Sequence, residues 1–300
     1  MTPAPAAPVP VIEGLGAIAD RYDAILCDIW GVLHNGRESF RPASDALVAF
    51  RKRGGVVVLV SNAPRPSAPI HSQVVKLGVS PEAFDAVVTS GDVTIELITQ
   101  RGAAPVHHIG PGRDLSLFEA AAARSGVQPV FADAEEASYV LCTGLFDDEV
   151  ETPADYADRL AAMAARGLPF ICANPDLVVH RGGVEIYCAG AIAQAYEALG
   201  GQTIYAGKPH APIYDAALAV AGDARGAALS RSRVLAIGDA MRTDIAGAAA
   251  QGLDALFITS GIHRDELHGE AAVAAAADAL HGLFFRENLR PVAAAYALAP

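Results

Sequence analysis

The chain has 300 residues and a formal net charge of -12, from 22 Lys and Arg against 34 Asp and Glu. That balance excludes a basic surface for nucleic acid or for an anionic membrane. With 52% hydrophobic residues, the length suits two domains of about 150 residues, each with its own core.

The N-terminal stretch Met1-Thr2-Pro3-Ala4-Pro5 has no basic start, and Pro and Glu residues interrupt its apolar runs. It does not read as a signal peptide. No segment approaches the ~18 uninterrupted apolar residues of a membrane span, so a cytoplasmic protein is expected. The first predicted strand is 24–27, within Ala24-Ile25-Leu26-Cys27-Asp28. A helix follows near 42–53, stopped by Gly54-Gly55. Val56-Val57-Val58-Leu59-Val60 is an unbroken apolar run ending at Ser61-Asn62, as expected of a parallel strand buried on both faces. A further helix leads to Ala86-Val87-Val88-Thr89-Ser90-Gly91.

The middle of the chain reads as a second, smaller α/β unit, with strands predicted at 106–110, 139–145 and 169–173 between helical patterns. From about residue 203 the first pattern resumes, with strands near 203–206, 233–238 and 254–260 and a helix over 244–251. An alanine-rich helical segment is expected to close the chain. Alternation of short apolar strands with longer helices defines an α/β fold with a Rossmann-like parallel sheet. The chemistry-bearing residues lie in the first and last thirds. The expected organisation is therefore one core domain, 1–91 plus 203–300, interrupted by an inserted middle α/β domain, 92–202. The four cysteines, Cys27, Cys142, Cys172 and Cys188, lie in or beside apolar segments with no metal-type spacing and are expected to be buried and reduced.

Several strand ends carry chemistry. Asp28 leaves its strand into Ile29-Trp30-Gly31, Lys208 sits in Gly207-Lys208-Pro209, and Gly238-Asp239 runs on to Asp244. In an open parallel sheet, ligands collect beyond these carboxyl ends. A carboxylate such as Asp28 can attack phosphorus and split one hard displacement into two easier ones. Attacker and target are both anionic, so a hard cation such as Mg2+, held by Asp239 and Asp244, suits the site. Lys208 adds positive charge, and Ser61 with the backbone N–H groups of its turn can hold a phosphoryl group. Gly110-Pro111-Gly112, after His107-His108, is a strand-to-helix turn rather than a phosphate loop, and Asp147-Asp148-Glu149 is a solvated loop.

Taken together these motifs resemble the haloacid dehalogenase superfamily, and within it the class IIA enzymes with an inserted α/β cap (the NagD-like and nitrophenylphosphatase-like group). The resemblance rests on Asp28-Ile29-Trp30-Gly31-Val32-Leu33, Ser61-Asn62, Gly207-Lys208-Pro209 and Gly238-Asp239 through Asp244. It implies Asp28 as nucleophile and Mg2+ ligand, the Trp30 backbone carbonyl as a second ligand, and Asp239 and Asp244 supporting the metal. Ser61 and the Asn62 backbone would bind phosphoryl, with Lys208 ordering the charges. Asn174-Pro175-Asp176 resembles the cap loop that faces substrate, and Arg242 is a candidate for a substrate anion. The implied activity is hydrolysis of a small phosphorylated metabolite, with pairing of two copies through the cap. One position departs from the pattern: the family's phosphatases place an acid–base Asp where this chain has Trp30. Indole donates no proton in that sense, which leaves a phosphatase favouring good leaving groups or a phosphate-binding protein with weak turnover. His34, in the same loop and with a side chain that titrates in the useful range, could replace that acid, but its simpler reading is a solvated loop histidine.

Overall fold

A computed structural model describes residues 8–181, 184–268 and 277–300. Its strands, in chain order, are β1 Ala24–Asp28, β2 Val56–Ser61, β3 Ala86–Thr89, β4 Val106–Ile109, β5 Tyr139–Cys142, β6 Phe170–Cys172, β7 Val178–Arg181, β8 Val184–Tyr187, β9 Thr203–Tyr205, β10 Val234–Gly238, β11 Asp254–Ile258 and β12 Ala293–Ala295. The chain divides into two compact units. One comprises Met1–Val60, Gln73–Ala86 and Ala217–Pro300, the other Ser61–Ser72 and Val87–Ala216.

The first unit is built on a sheet of order β12-β11-β10-β1-β2-β3, the last strand lying where the two units divide. β1 runs parallel to β10 and to β2, and all five of its residues are buried. This is why these strands read as continuous apolar runs rather than alternating ones. The helix Arg41–Lys52 has Pro42 in its first turn, where the missing N–H costs nothing. It ends before Gly54, whose φ of 88° only glycine adopts freely. Arg51 joins Asp85, which also accepts the Val57 N–H at 2.8 Å, so the helix is tied to the sheet by a part-buried ion pair.

The second unit carries a parallel sheet of order β4-β5-β6-β9 and an antiparallel pair, β7 with β8. Alternate strand residues feed two cores. Val140, Cys142, Phe170 and Cys172 pack with Leu160, Met163, Ile192 and Tyr196, from the helices Ala157–Ala165 and Ala189–Ala198. Tyr139, Leu141 and Ile171 pack with Ile95, Ile98, Leu117 and Phe118, from the helices Ser90–Arg101 and Ser116–Ser125. Period-two alternation with helices on both faces makes a three-layer sandwich. All four cysteines are buried and outside any disulfide, serving as small apolar residues.

Three expectations change. The strand at 203–205 does not resume the first sheet: β9 pairs with β6 in the second. Ser90 and Gly91 do not end a strand. They open a helix, because Thr89 and Asp92 form a reciprocal capping box. The chain does not close on a helix either. After the helix Ala277–Glu287, Ala293–Ala295 forms a strand parallel to β11, its buried register overriding the helix propensity of alanine.

Candidate active site

In the first unit, the in-register pairing of Cys27 with Ile237 brings the ends of β1 and β10 to one level. Asp28 closes β1, Asp239 follows β10, and Asp244 sits in the π-helical turn Met241–Ile245. A carboxylate oxygen of each lies within 4.8 Å of the others. All three are buried, at 9%, 6% and 3% exposure. Asp239 Oδ2 accepts the Ile262 N–H at 2.8 Å, and Asp244 Oδ2 accepts the Ala240 N–H at 3.2 Å. Together the three carboxylates gather a hard, anionic set of oxygen donors in one place, the kind a divalent cation such as Mg2+ or Ca2+ takes.

Glycines make this crowding feasible. A Cβ added at Gly31 would stand 2.0 Å from Asp239 Oδ2, and one at Gly261 would stand 1.9 Å from it. At Gly238 it would stand 2.1 Å from Asp244 Cγ. Gly31 also has φ +82°, so two independent constraints select glycine there. Sequence reasoning missed Gly261 and Ile262, although a Gly shortly after the apolar run Leu256-Phe257-Ile258 was a visible cue.

Trp30 is 41% exposed, and its ring lies against Gly36, where an added Cβ would come within 2.4 Å of the indole. It meets His34 edge-on at 5.3 Å. His34 is not the solvated loop residue expected. It is 2% exposed, its Nδ1 accepts the Gly36 N–H at 3.0 Å, and burial pushes its pKa below the ordinary value. Arg242 is exposed on the turn that carries Asp244.

The second unit gathers the remaining candidates. Ser61 Oγ accepts the Ala63 N–H at 3.2 Å, shaping the turn after β2. The buried Asn62 grips Lys208 by its backbone: Oδ1 accepts the Lys208 N–H at 2.7 Å, and Nδ2 donates to the Lys208 carbonyl at 3.1 Å. Nδ2 also donates to Asp176 Oδ1 at 2.9 Å. Asn174 Oδ1 accepts the Asp176 N–H at 3.1 Å, folding Asn174-Pro175-Asp176 into a tight turn. Lys208 is 4% exposed, and the peptide bond between Lys208 and Pro209 is cis. Gly207, part of the Gly207-Lys208-Pro209 motif, and Gly190, which sequence reasoning missed, let this turn close. A Cβ at Gly207 would meet Asn62 Oδ1 at 2.4 Å and Pro175 Cδ at 2.7 Å, and one at Gly190 would meet the Pro175 carbonyl oxygen at 2.3 Å.

A parallel α/β fold with three buried carboxylates at adjacent strand ends is an arrangement that could hold a metal ion. Residues 25–124 match the model of the haloacid dehalogenase-like hydrolases, and residues 205–283 match that of HAD-hydrolase-like proteins. A crystal structure of a haloacid dehalogenase-like hydrolase from Brucella suis 1330 is 45% identical, with a TM-score of 0.82 over 96% of this chain and 100% of that one. The ribonucleotide monophosphatase NagD of Escherichia coli K12 is 27% identical over 242 residues, 79% of this chain and 88% of NagD. The glycerol phosphate phosphatase of Mycobacterium tuberculosis, solved in complex with calcium, is 26% identical, with a TM-score of 0.63 over 86% of this chain and 73% of that one. The chain belongs to the haloacid dehalogenase-like hydrolases, in the class IIA branch of its NagD-like relatives.

Proposed function

We propose that this hydrolase cleaves small phosphate monoesters through a phosphorylated Asp28. The observation that carries the reading is the buried convergence of Asp28, Asp239 and Asp244 at parallel strand ends. Asp28 attacks phosphorus, the P–O bond to the ester oxygen breaks, and the alkoxide departs, taking its proton from solvent water. Water then attacks the same phosphorus and returns Asp28 as a carboxylate with release of inorganic phosphate. Asp28, the Trp30 carbonyl, Asp239 and Asp244 would hold Mg2+, which supplies charge neutralisation between the attacking carboxylate and the phosphoryl oxygens. Ser61 and the Asn62 backbone N–H hold the phosphoryl group, and Lys208 balances its charge. The loop Asn174-Pro175-Asp176 faces the rest of the substrate, and Arg242 takes an anion of it. The inserted cap begins near residue 92 and, with β9 counted in its sheet, runs through Tyr205. A cytoplasmic location and pairing of two copies through the cap belong to the same proposal. Among the described residues no helix is long and apolar enough to cross a membrane.

The indole seated on Gly36 favours a second reading, a phosphate-binding protein with weak turnover. Residue 30 donates no proton to the departing oxygen, and His34 is buried with Nδ1 already engaged. General acid help is worth about 10²–10⁴-fold, so its loss is felt most with poor leaving groups. The test is Mg2+-dependent phosphate release from a panel of monoesters that includes p-nitrophenyl phosphate, with Asp28→Asn as control. Release that needs both Mg2+ and Asp28 is expected. No release from any ester by folded protein that binds Mg2+ would support the second reading.

A further inference from the structure

Asn62 uses its whole side chain on two partners 32 residues apart in sequence, Asp176 and Lys208. The amide is 5% exposed, so no water substitutes freely for either partner. Its orientation is fixed: Oδ1 must face the Lys208 N–H, and the two Nδ2 hydrogens must face the Lys208 carbonyl and Asp176 Oδ1. Flipping the amide would break all three bonds. The turn on which Asp176 rides is clamped in turn by Asn174 Oδ1 and by the bare backbones of Gly190 and Gly207. Asn62 thus sits between a loop whose seating is set by packing and the lysine whose backbone N–H and carbonyl it bonds.

We infer that Asn62 and Asp176 are positioning residues: the Asp176 carboxylate fixes the Asn62 amide, and the amide fixes the Lys208 backbone from which the ammonium group extends. The Asn62 backbone N–H stays available for the phosphoryl group, because only the side chain is committed. In its kinetic consequence this inference rests on the phosphatase reading. The hydrogen-bond chain itself does not. Removing the acceptor at residue 176 leaves a buried Nδ2 hydrogen without its partner, and the amide is then braced only by its two bonds to Lys208.

The experiment compares Asp176→Ala, Asp176→Asn and Asn62→Asp in the full chain with Mg2+ and p-nitrophenyl phosphate. Exchange of the Lys208 amide hydrogen is followed in parallel. Asp176→Ala is expected to lower kcat by about 10- to 100-fold with KM unchanged, the scale of a small misplacement at a catalytic centre. Asp176→Asn keeps an oxygen acceptor and is expected to recover most of that loss. Asn62→Asp keeps the acceptor for the Lys208 N–H but donates nothing. Adding Asp176→Ala to it is expected to cost nothing more, the signature of a coupled pair. The Lys208 amide should exchange faster in Asp176→Ala and at the wild-type rate in Asp176→Asn. Asp176→Ser, whose hydroxyl is too short to reach, replaces the alanine variant if that one is unstable. If Asp176→Asn is as poor as Asp176→Ala, or if the loss falls in KM, the carboxylate acts on substrate directly and the inference is overturned. If the wild-type chain releases no phosphate, the phosphatase reading fails by itself. Amide exchange then decides: faster exchange only without the acceptor supports the chain of bonds, and unchanged exchange overturns it.

Discussion

The two groups of candidate residues are held in opposite ways. In the first unit three carboxylates converge, two of them, Asp239 and Asp244, held by backbone N–H groups and by glycines that present no Cβ. In the second, one lysine backbone is held by a neutral amide whose every hydrogen-bonding group is used. The first arrangement concentrates charge and depends on volume. The second carries its constraint through neutral and singly charged hydrogen bonds and depends on donors and acceptors being in place. The contrast follows from the chemistry asked of each group. Carboxylates that share a cation must approach more closely than their repulsion favours, so sterics must hold them. A lysine needs only a fixed stem.

The largest effect should come from removing charge without changing shape. Asp239→Asn is nearly isosteric, so the glycines around it stay accommodated, and the Ile262 N–H can still find an oxygen. Outer-shell partners of metal ligands are commonly worth 10–100-fold in affinity, so loss of a direct ligand should raise the Mg2+ concentration for half-maximal phosphate release by about 100-fold or more. Unfolding by urea should change little. An unchanged Mg2+ requirement would mean that the carboxylate cluster is not the cation site.

A smaller effect, of a different kind, should come from adding volume without changing charge. Gly261→Ala places a methyl group where Asp239 Oδ2 now stands, 1.9 Å from the new carbon. Gly261 lies outside the left-handed region, so backbone strain adds nothing, and the clash alone is measured. Overpacking of this sort costs about 1–3 kcal/mol. The Mg2+ requirement should rise roughly 10-fold through displacement of Asp239, with a measurable loss in the urea midpoint. Gly31→Ala should do the same and lose further stability, because its φ of +82° is unfavourable for alanine. If Gly261→Ala shifts stability but leaves the Mg2+ requirement untouched, the glycines are packing features and not part of how the charges are held.

These expectations also mark what the sequence made legible. Asp28, Asp239 and the strands that deliver them stood out because buried parallel strands are unbroken apolar runs whose ends are easily seen, and Lys208 stood out through its Gly207-Lys208-Pro209 turn. Asp244 followed from its spacing to Asp239. What the sequence hid was contact. Gly261 and Gly190 are distant in sequence from the groups they admit, and a glycine announces freedom of space without naming what fills it. The strand Thr203–Tyr205 was legible as a strand, but its partner was not, since three residues with little alternation fit either sheet. Ala293–Ala295 was hidden for a related reason: alanine favours helices in isolation, and only the β11 edge makes it a strand. His34 was misplaced because a loop histidine looks solvated until the loop is seen to fold over it.

The smallest expected effect sharpens the contrast from the side of neutrality. His108, on β4 in the second unit, has Nε2 3.1 Å from Thr143 Oγ1 and its ring edge-on to Phe118. Burial, reinforced by the neighbouring His107, lowers its pKa from 6.5 to about 4. The unfolded chain therefore takes up a proton as the pH falls below 6.5, whereas the folded chain does so only near 4. Between those values the unfolded state binds more protons, and stability falls with falling pH. One such group contributes at most about 1.4 kcal/mol per pH unit over that window. His108→Gln keeps a polar contact to Thr143 and removes the titration. Urea unfolding measured from pH 7 to pH 4.5 should show a shallower loss of stability than in wild type, with the two chains converging in slope above pH 6.5. A wild-type slope in His108→Gln would mean that His108 is charged or solvated in the folded protein. The second unit would then carry charge inside its sheet as the first does, and the division between a charge-packed site and a neutrally braced one would no longer hold.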